Sequence, residues 1–395
     1  MKNKLIQTIG AGFAATTVGA LAADLPDTTT AAVSQPSGGS GNWCDAIGDL
    51  GTVYKDKSNP WIQEVKFFGR AHQQWGYTDG DDNGGDFSGD GDELRRLRFG
   101  TSIKFLDGFT LLGRADFENG GFRDTNIDYA GFDELYLNYN FGSFGALEDF
   151  TIGFGRYKVG FGGEEVESSK KIKTIERSLL NNSYVGDRAS GARVSFAAND
   201  VNYMFGVYGV DGDDEAIGSL SGDLAYHVGA EFEALGGDVF LQAIVTDSDG
   251  TSPDDVFGFD WAVSANYTTE IGRFDLFTNA TYGEGYDGNA VYGVVIMPST
   301  MLIEDKLEAV FRYQWAHSEG DGYLRPQSRN VRNVAGMDGI GLPRGDDNHN
   351  FYAGLNYFIC EHHAKAMLGV EHEINDGGVA DTEATTLWGA LRFYF

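Results

Sequence analysis

Charged residues of both signs are concentrated in one long segment that lacks the hydrophobic alternation of a strand. It follows the alternating residues Phe150, Ile152 and Phe154, and alternation resumes only at Val194 and Phe196. Loops of this length are usually functional or disordered. Ammonium and guanidinium donors can replace part of the water shell of a small anion at close range. The candidate functional residues of this segment are Lys158, Glu164, Glu165, Lys170, Lys171, Lys173, Glu176, Arg177 and Arg188.

The same segment contains apolar residues that would let it pack against other parts of the chain. Ile172, Ile175, Leu179 and Leu180 are interspersed with the charges. This combination favours a loop folded into a lumen over a loop in open water.

Three motifs in this loop resemble the constriction-loop signature of the phosphate-selective porin O and P family: Tyr157-Lys158-x-x-Phe161-x-x-Glu164, Ser168-Ser169 and Glu176-Arg177-Ser178-Leu179. By its pattern of strands and loops the resemblance extends over residues 61–395. It implies a homotrimeric channel in the outer membrane of a Gram-negative-type bacterium, with about sixteen strands and a pore narrowed by this loop. It also implies a preference for phosphate or another anion.

The first 22 residues have the pattern of a secretory signal peptide. Lys2 and Lys4 precede an apolar run rich in Ala and Gly, and Ala20-Leu21-Ala22 has the small residues of a cleavage site. Polar residues inside the run argue against a membrane anchor. Residues 23–60 are then either a periplasmic tether or a small N-terminal extension, and residues 61–395 are the predicted barrel domain.

The composition is consistent with strands that show one face to lipid and the other to water. The chain has 56 Gly, 7 Pro and 13% aromatic residues, totals that a soluble β-sandwich or propeller also shows. After the signal peptide, no segment approaches the ~20 apolar residues of a membrane helix. If the chain spans a membrane it must therefore form a closed barrel, because only helices and barrels satisfy every backbone polar group in lipid.

The lengths of the connections separate the barrel from the soluble alternatives. Short links alternate with long polar links, an asymmetry typical of outer-membrane barrels, whose short turns are periplasmic and whose long loops are extracellular. The sequence therefore predicts an all-β fold, a transmembrane antiparallel β-barrel of about 16 strands with the third long loop folded into the lumen. The short links include 106–108, 198–200, 235–237, 270–272 and 360–362, and the long ones 211–222, 247–256, 283–289, 317–348 and 375–385.

The last strand favours the same architecture. Leu387, Leu391 and Phe393 alternate up to the C-terminal Phe395, resembling the terminal strand that outer-membrane assembly machinery recognises. The expected partners are this machinery, outer-membrane lipid and lipopolysaccharide.

Strand parity directs a set of basic side chains into the lumen. Glu231, Glu233, Asp260 and Asp275 would line the other side, so a basic wall would face an acidic wall. The alternative is that these charges are solvated and pair with their neighbours. The predicted basic pore-lining residues are Lys66, Arg70, Arg96, Arg98, Lys104, Arg114 and Arg193.

The first long loop has the spacing of a calcium-binding loop. Asp79, Asp81 and Asn83 are followed by Asp90, although an EF-hand has a bidentate Glu at the last position and flanking helices. A hydrated acidic loop is the favoured alternative to a weak Ca²⁺ site. No other cofactor is expected.

Cys44 and Cys360 are the two cysteines of the chain. Both would lie on the periplasmic side, where disulfides persist. A bond between them requires their Cα atoms to lie within about 7 Å, and the sequence does not fix that distance.

The sequence predicts a passive diffusion channel for small hydrophilic solutes. It shows no phosphate-binding Gly-rich loop, zinc-type Cys pairs or basic stripe for nucleic acid. A barrel enzyme would need a convergent nucleophile, base and orienting group, which parity does not reveal, and an adhesin would have a blocked lumen. Since the net charge is −30, a general or cation-preferring pore is the alternative to the anion preference that the resemblance implies.

Overall fold

The computed structural model describes residues 43–82, 85–118, 127–184, 188–210, 220, 222–248, 256–320, 323–337, 344–377 and 381–395. The predicted signal peptide and residues 23–42 lie outside the described residues. Within the described ranges, no helix is long and apolar enough to cross a membrane.

Antiparallel strands account for most of the described chain. The strands are β1 (Thr52–Lys55), β2 (Ile62–Asp82), β3 (Gly85–Phe105), β4 (Phe109–Glu118), β5 (Ile127–Asn140), β6 (Glu148–Lys158), β7 (Arg188–Ala198), β8 (Val201–Gly209), β9 (Leu224–Ala234), β10 (Gly237–Thr246), β11 (Trp261–Ile271), β12 (Phe274–Glu284), β13 (Ala290–Ile303), β14 (Leu307–Ser318), β15 (Asp347–Cys360), β16 (Ala364–Asp376) and β17 (Thr382–Tyr394). The helices are α1 (Trp43–Asp49), α2 (Gly163–Val166) and α3 (Arg329–Met337), and Leu180–Asn182 form a 3₁₀ turn.

Strands β2 to β17 close into a barrel. Each strand pairs with the next, and β17 pairs with β2 from Tyr394↔Arg70 to Thr382↔Asp82. The predicted all-β antiparallel barrel of about sixteen strands is therefore confirmed.

Alternation along each strand decides which side chains face outward. Phe67, Phe99 and Leu137 are exposed on the outer surface, whereas Arg70 and Gln74 are buried on the inner one. This apolar-out, polar-in pattern is the one that a barrel in lipid requires.

The short links form tight turns at one end of the barrel. Asn199 and Asp200 have φ values of 50° and 60°, and Leu235 and Gly236 have φ values of 57° and 77°. Two consecutive residues with positive φ match the right-handed twist of the flanking strands. We call this the short-turn end, which is periplasmic in outer-membrane barrels.

The prediction that a long loop follows the first barrel strand is wrong. Residues 79–82 and 85–93 continue β2 and β3 as a paired hairpin in which Asp79 faces Ser88 and Tyr77 faces Asp90. The physical reason is inward alternation: Thr78 and Phe87 are buried, a pattern that the acidic composition conceals.

This hairpin does not have the geometry expected of a calcium-binding loop. Asp79, Asp81 and Asp90 are exposed on two extended strands, which do not wrap around a cation as a calcium loop does. Asn83 lies outside the described residues. In the part of the chain that is described, no group of three or more His, Cys, Asp or Glu side chains is placed to hold a metal ion.

The N-terminal segment docks at the short-turn end. Strand β1 pairs with the start of β2, with Thr52 opposite Lys66, beyond the point where β17 ends. Ile47 of α1 packs against Cys360, Ala364 and Phe395. Cys44 and Cys360 form a disulfide bond with a Cα–Cα distance of 5.1 Å, within the usual range.

The disulfide predicts a difference in gel mobility. The two cysteines are separated by 316 positions, so the heat-denatured, unreduced chain retains a large covalent loop and should migrate faster than the reduced chain. Cys44→Ser should abolish the difference. Equal mobility with and without reductant, together with two alkylatable thiols in the native protein, would contradict the bond.

Candidate functional site

The segment between β6 and β7, here called loop 3, crosses the lumen. Near its start, the Gly162 amide donates to Gln242 on β10 at 3.0 Å. Farther along, Lys365 on β16 donates to the Ile172 carbonyl at 2.7 Å, and near the end of the described part Tyr184 donates to Val291 on β13 at 2.6 Å. Loop 3 therefore contacts walls on different sides of the barrel.

Apolar side chains anchor loop 3 at two places. Phe161, Leu179, Leu180 and Tyr184 belong to one buried cluster. Ile175 is fully buried in a second cluster with Tyr352, Met367 and Trp388. Burial of this kind stabilises the docked loop in proportion to the apolar area removed from water.

A buried ionic network joins loop 3 to β14 and β16. Nη1 of Arg312 lies 3.4 Å from Oε1 of Glu164, and Nη2 lies 3.3 Å from Oε1 of Glu371. Glu164 also accepts the Ser178 amide at 2.9 Å. Because Arg312 is completely buried, its charge depends on these carboxylates for compensation.

A second network joins the start of loop 3 to the last residue of β6. Glu165 is 3.3 Å from both Lys158 and Arg177, and Arg177 donates to the Glu164 carbonyl at 2.7 Å. Burial opposes ionisation of Glu165, but Arg177, Lys158 and Arg188 hold the pKa of its carboxyl at about 2. Glu165 is therefore ionised at neutral pH.

Glu176 connects loop 3 to β2 and β3. Its Oε1 accepts from Gln74 at 2.9 Å and from Arg95 at 2.8 Å, and Arg329 of α3 lies 3.9 Å away. Burial would raise the pKa of Glu176, but the surrounding arginines, led by Arg95 and Arg329, lower it.

Three lysines lie along the edge of loop 3 that is least buried. Lys170 lies over the ring of Tyr394, 4.9 Å from its centroid, and Lys171 is exposed. Lys173 is 2.9 Å from both Asp275 and Glu308. Burial opposes the charge of Lys173, but these carboxylates raise its pKa. Lys171 and the half-buried Lys170 and Lys173 thus form a row of cations along this edge.

The sequence matches the family described as "Phosphate-selective porin O and P" over residues 65–297, more than half of the chain. The chain belongs to this family. The resemblance carried by the loop motifs is thereby confirmed, and the protein is an outer-membrane porin. No curated protein matches the chain.

Solved outer-membrane channels share the fold of this porin. The channel DcaP of Acinetobacter baumannii is 15% identical with a TM-score of 0.54, covering 86% of this chain and 99% of its own. The anion-selective porin from Comamonas acidovorans is 12% identical with a TM-score of 0.53, and the match covers 84% of this chain and 99% of the other. OmpT of Vibrio cholerae is 13% identical with a TM-score of 0.52, and the match covers 86% of this chain and 99% of the other. At these identities only the architecture is comparable.

Two predicted pore-lining residues of the porin, Arg98 and Arg114, converge on Asp133 of β5 together with Arg188, which was predicted as a residue of loop 3 and lies at the start of β7. Arg98 lies 3.0 Å from Oδ1 of Asp133 and Arg188 2.8 Å, and Arg114 also contacts this carboxylate. Arg193 instead stacks on the ring of Tyr157 at 4.3 Å. These basic residues line the β3–β7 wall with acidic partners between them.

The other predicted pore-lining residues are distributed along the wall. Lys66 donates to the Gly48 carbonyl at 3.5 Å, and Lys104 lies 3.5 Å from Glu64. Arg70 donates to Ser169 of loop 3, and Arg96 is buried beneath the same loop.

The four predicted acidic pore-lining residues differ in their surroundings. Asp275 is bridged by Lys173 from loop 3, and Glu231 accepts from Asn202 at 3.4 Å. Glu233 is exposed and Asp260 half-buried. Asp275 thus follows the alternative interpretation, pairing with a neighbouring charge.

Sequence reasoning missed Arg95 and Arg312. Arg95 reaches the inner side because a register irregularity between β2 and β3 inserts it beside Arg96, as a β-bulge does. Arg312 could have been found, since it alternates with the outward residue Phe311 on β14.

Sequence reasoning also missed the docking of α3, in a segment expected to be a long polar link. Val331 and Val334 pack against Phe87 and Ala384, while Glu373 of β16 accepts the Gln327 amide at 2.6 Å. The two valines are three positions apart, a spacing that indicates one apolar face of a helix and could have predicted α3.

Replacing Arg312 with Met should loosen loop 3 in the porin. Glu164 and Glu371 would then be buried without their cation, which costs about 3–5 kcal/mol. We expect noisier single-channel currents and tryptic cleavage within residues 168–177 of the folded barrel. Arg273→Met, at an exposed turn residue, is the matched control. Native-like currents and protease resistance would show that the network does not hold the loop.

Acid should release loop 3 only at very low pH. The pKa of Glu165 is depressed from 4.5 to about 2. The ionised carboxylate therefore stabilises the docked loop fully above the ordinary pKa of glutamate, and this stabilisation is lost as pH falls through 2. We expect loop 3 to resist pepsin at pH 4 and 3 and to be cleaved near pH 2. Glu165→Gln should be cleaved already at pH 4, whereas Glu270→Gln, at an exposed position, should not. Cleavage of the native protein at pH 4 would contradict this role.

Proposed function

We propose that this porin is a passive diffusion channel that prefers small anions such as phosphate, and that residues 168–173 of loop 3 form its narrowest part. The observation that carries the proposal is the row Lys170, Lys171 and Lys173 on the edge of a loop that crosses the lumen. Cationic donors at this position offset the water that an anion loses on entry.

The acidic composition of the chain does not outweigh these lysines. Ser169 of loop 3 meets β2 at Arg70, whereas Asp79 and Asp81 lie farther along that strand. At about 3.3 Å per residue, roughly 30 Å separates these levels, several times the Debye length of about 8 Å at physiological salt. The charges of Asp79 and Asp81 are therefore screened from an ion at loop 3.

Ion pairing reduces the electrostatic field of some cations of loop 3. Lys173 is bridged by Asp275 and Glu308, and Arg177 by Glu165. Their fields are partly cancelled at the site. Lys171 is the most exposed of the three lysines, so it is the cation of this edge that a passing anion would reach most readily.

The alternative is a general or cation-preferring pore. It is favoured by the exposure of Glu167 on the same edge and by the Asp275 side chain, which is 54% exposed. Anion preference ranks first because more lysines than carboxylates lie on residues 168–173 of the loop itself.

We further infer that the porin is exported by a cleaved signal peptide at residues 1–22 and assembles as a homotrimer. The first inference rests on the sequence pattern, and the second on the family. The C-terminal strand ending at Phe395 is the proposed contact for outer-membrane assembly machinery, and outer-membrane lipid and lipopolysaccharide surround the barrel.

Lys171→Glu should shift ion selectivity toward cations. Reversing a charge beside the path changes the energy of a passing ion by about 1 kcal/mol in water. The change is unfavourable for an anion and favourable for a cation, so the anion-to-cation permeability ratio should fall roughly thirtyfold. The measurement is the reversal potential of single channels in a salt gradient. Lys306→Glu makes the same change at an exposed turn and should leave the ratio near its native value. A native channel that already prefers cations, with Lys171→Glu unchanged, would overturn the proposal.

A further inference from the structure

Three basic side chains lie at one level on neighbouring strands behind loop 3. His72 of β2 pairs in register with Arg392 of β17 on one side and with Arg96 of β3 on the other. All three point inward, and their exposed fractions are 1%, 3% and 5%, respectively. We call this group the His72 pocket.

The His72 pocket contains buried nitrogen atoms that have no hydrogen-bond partner among the described residues. They are both ring nitrogens of His72, Nη1 of Arg96, and Nε and Nη1 of Arg392. A neutral histidine supplies one donor and one acceptor, whereas the guanidinium groups supply only donors. Even if His72 accepts one bond, donors remain in excess, and a buried donor without an acceptor is unfavourable.

The nearest carboxylates are engaged by other groups. Glu176 binds Gln74 and Arg95. Gln74 is the next inward-facing residue after His72 on β2. On the other side, Asp133 binds Arg98 and Arg188. Among the described residues, no carboxylate therefore contacts the unpartnered nitrogens of Arg96 and Arg392.

We propose that the His72 pocket binds one small inorganic anion, of the size and charge of chloride. A halide accepts hydrogen bonds from several directions and so suits the donors of three separate strands. It also supplies the negative charge that compensates buried guanidinium groups. The site lies beneath loop 3, so it differs from the lysine edge that faces the lumen and does not depend on the solute preference of the channel.

The bound anion helps to hold loop 3 in place. Nη2 of Arg392 donates to the Thr174 carbonyl at 3.5 Å and also to that of Ile175. Arg70, one inward position from His72, donates to Ser169. Neutralising the His72 pocket reduces repulsion among the residues that dock residues 169–175, so anion occupancy and loop position are coupled.

Bromide is the probe for this site, because its anomalous scattering distinguishes it from water. The full barrel would be purified in detergent with gluconate as the only anion, crystallised, and soaked in sodium bromide. We expect an anomalous peak between His72, Arg96 and Arg392. In solution, replacing gluconate with bromide at constant ionic strength should raise the unfolding temperature by about 2 °C per tenfold increase in bromide above its dissociation constant.

Variants separate this site from general salt effects. Arg96→Gln should remove most of the bromide-dependent shift, while Arg273→Gln, the same substitution at an exposed turn, should keep it. Water without anomalous density in the pocket of the native crystal overturns the proposal, and so do equal bromide shifts in the two variants. The crystal experiment uses native protein and decides the question even if Arg96→Gln fails to fold. The reversal potential tests the proposed solute preference separately.

Discussion

The docking of loop 3 against the inner wall is the constraint on which the rest of the structure depends. A barrel of sixteen strands encloses a lumen wider than its own side chains can fill, and loop 3 occupies part of that space. Arg312, buried between Glu164 of the loop and Glu371 of the wall, shows how the loop is fixed. Its charge has lost its water, so it depends on these two carboxylates for compensation. The network therefore favours one loop position over nearby alternatives.

Charges in the lumen consequently have two different roles. Buried ones, such as Glu176 with Arg95, determine where loop 3 lies, and they are unavailable to a passing solute. Exposed ones, such as Lys171, are the charges through which the proposed anion preference would act. The net charge of the chain mixes both groups with the distant acidic hairpin, so it is a poor guide to selectivity. Position relative to the Debye length decides which charges matter.

The barrel could be predicted from the sequence because its signal is local. Alternation with period 2 and the lengths of the links are visible within a few residues, and the end of alternation after Phe154 locates loop 3. The partners in the site could not be predicted, because they are remote: Glu164 and Arg312 are 148 positions apart. Strand parity failed at Arg95, where the bulge adds a residue. It also failed at the acidic hairpin, where Thr78 and Phe87 preserve a strand that composition disguises.

The two ends of the chain illustrate why closure of the barrel links distant parts of the sequence. Phe395 exchanges backbone hydrogen bonds with Gly69 of β2, and β1 occupies the edge of β2 that β17 does not reach. The Cys44–Cys360 bond spans the same seam, since Cys44 precedes β2 and Cys360 ends β15. Arg392 and His72, which face each other across this seam, also lie beneath loop 3. The strand pairing that completes the barrel therefore also completes the surface on which its constriction rests.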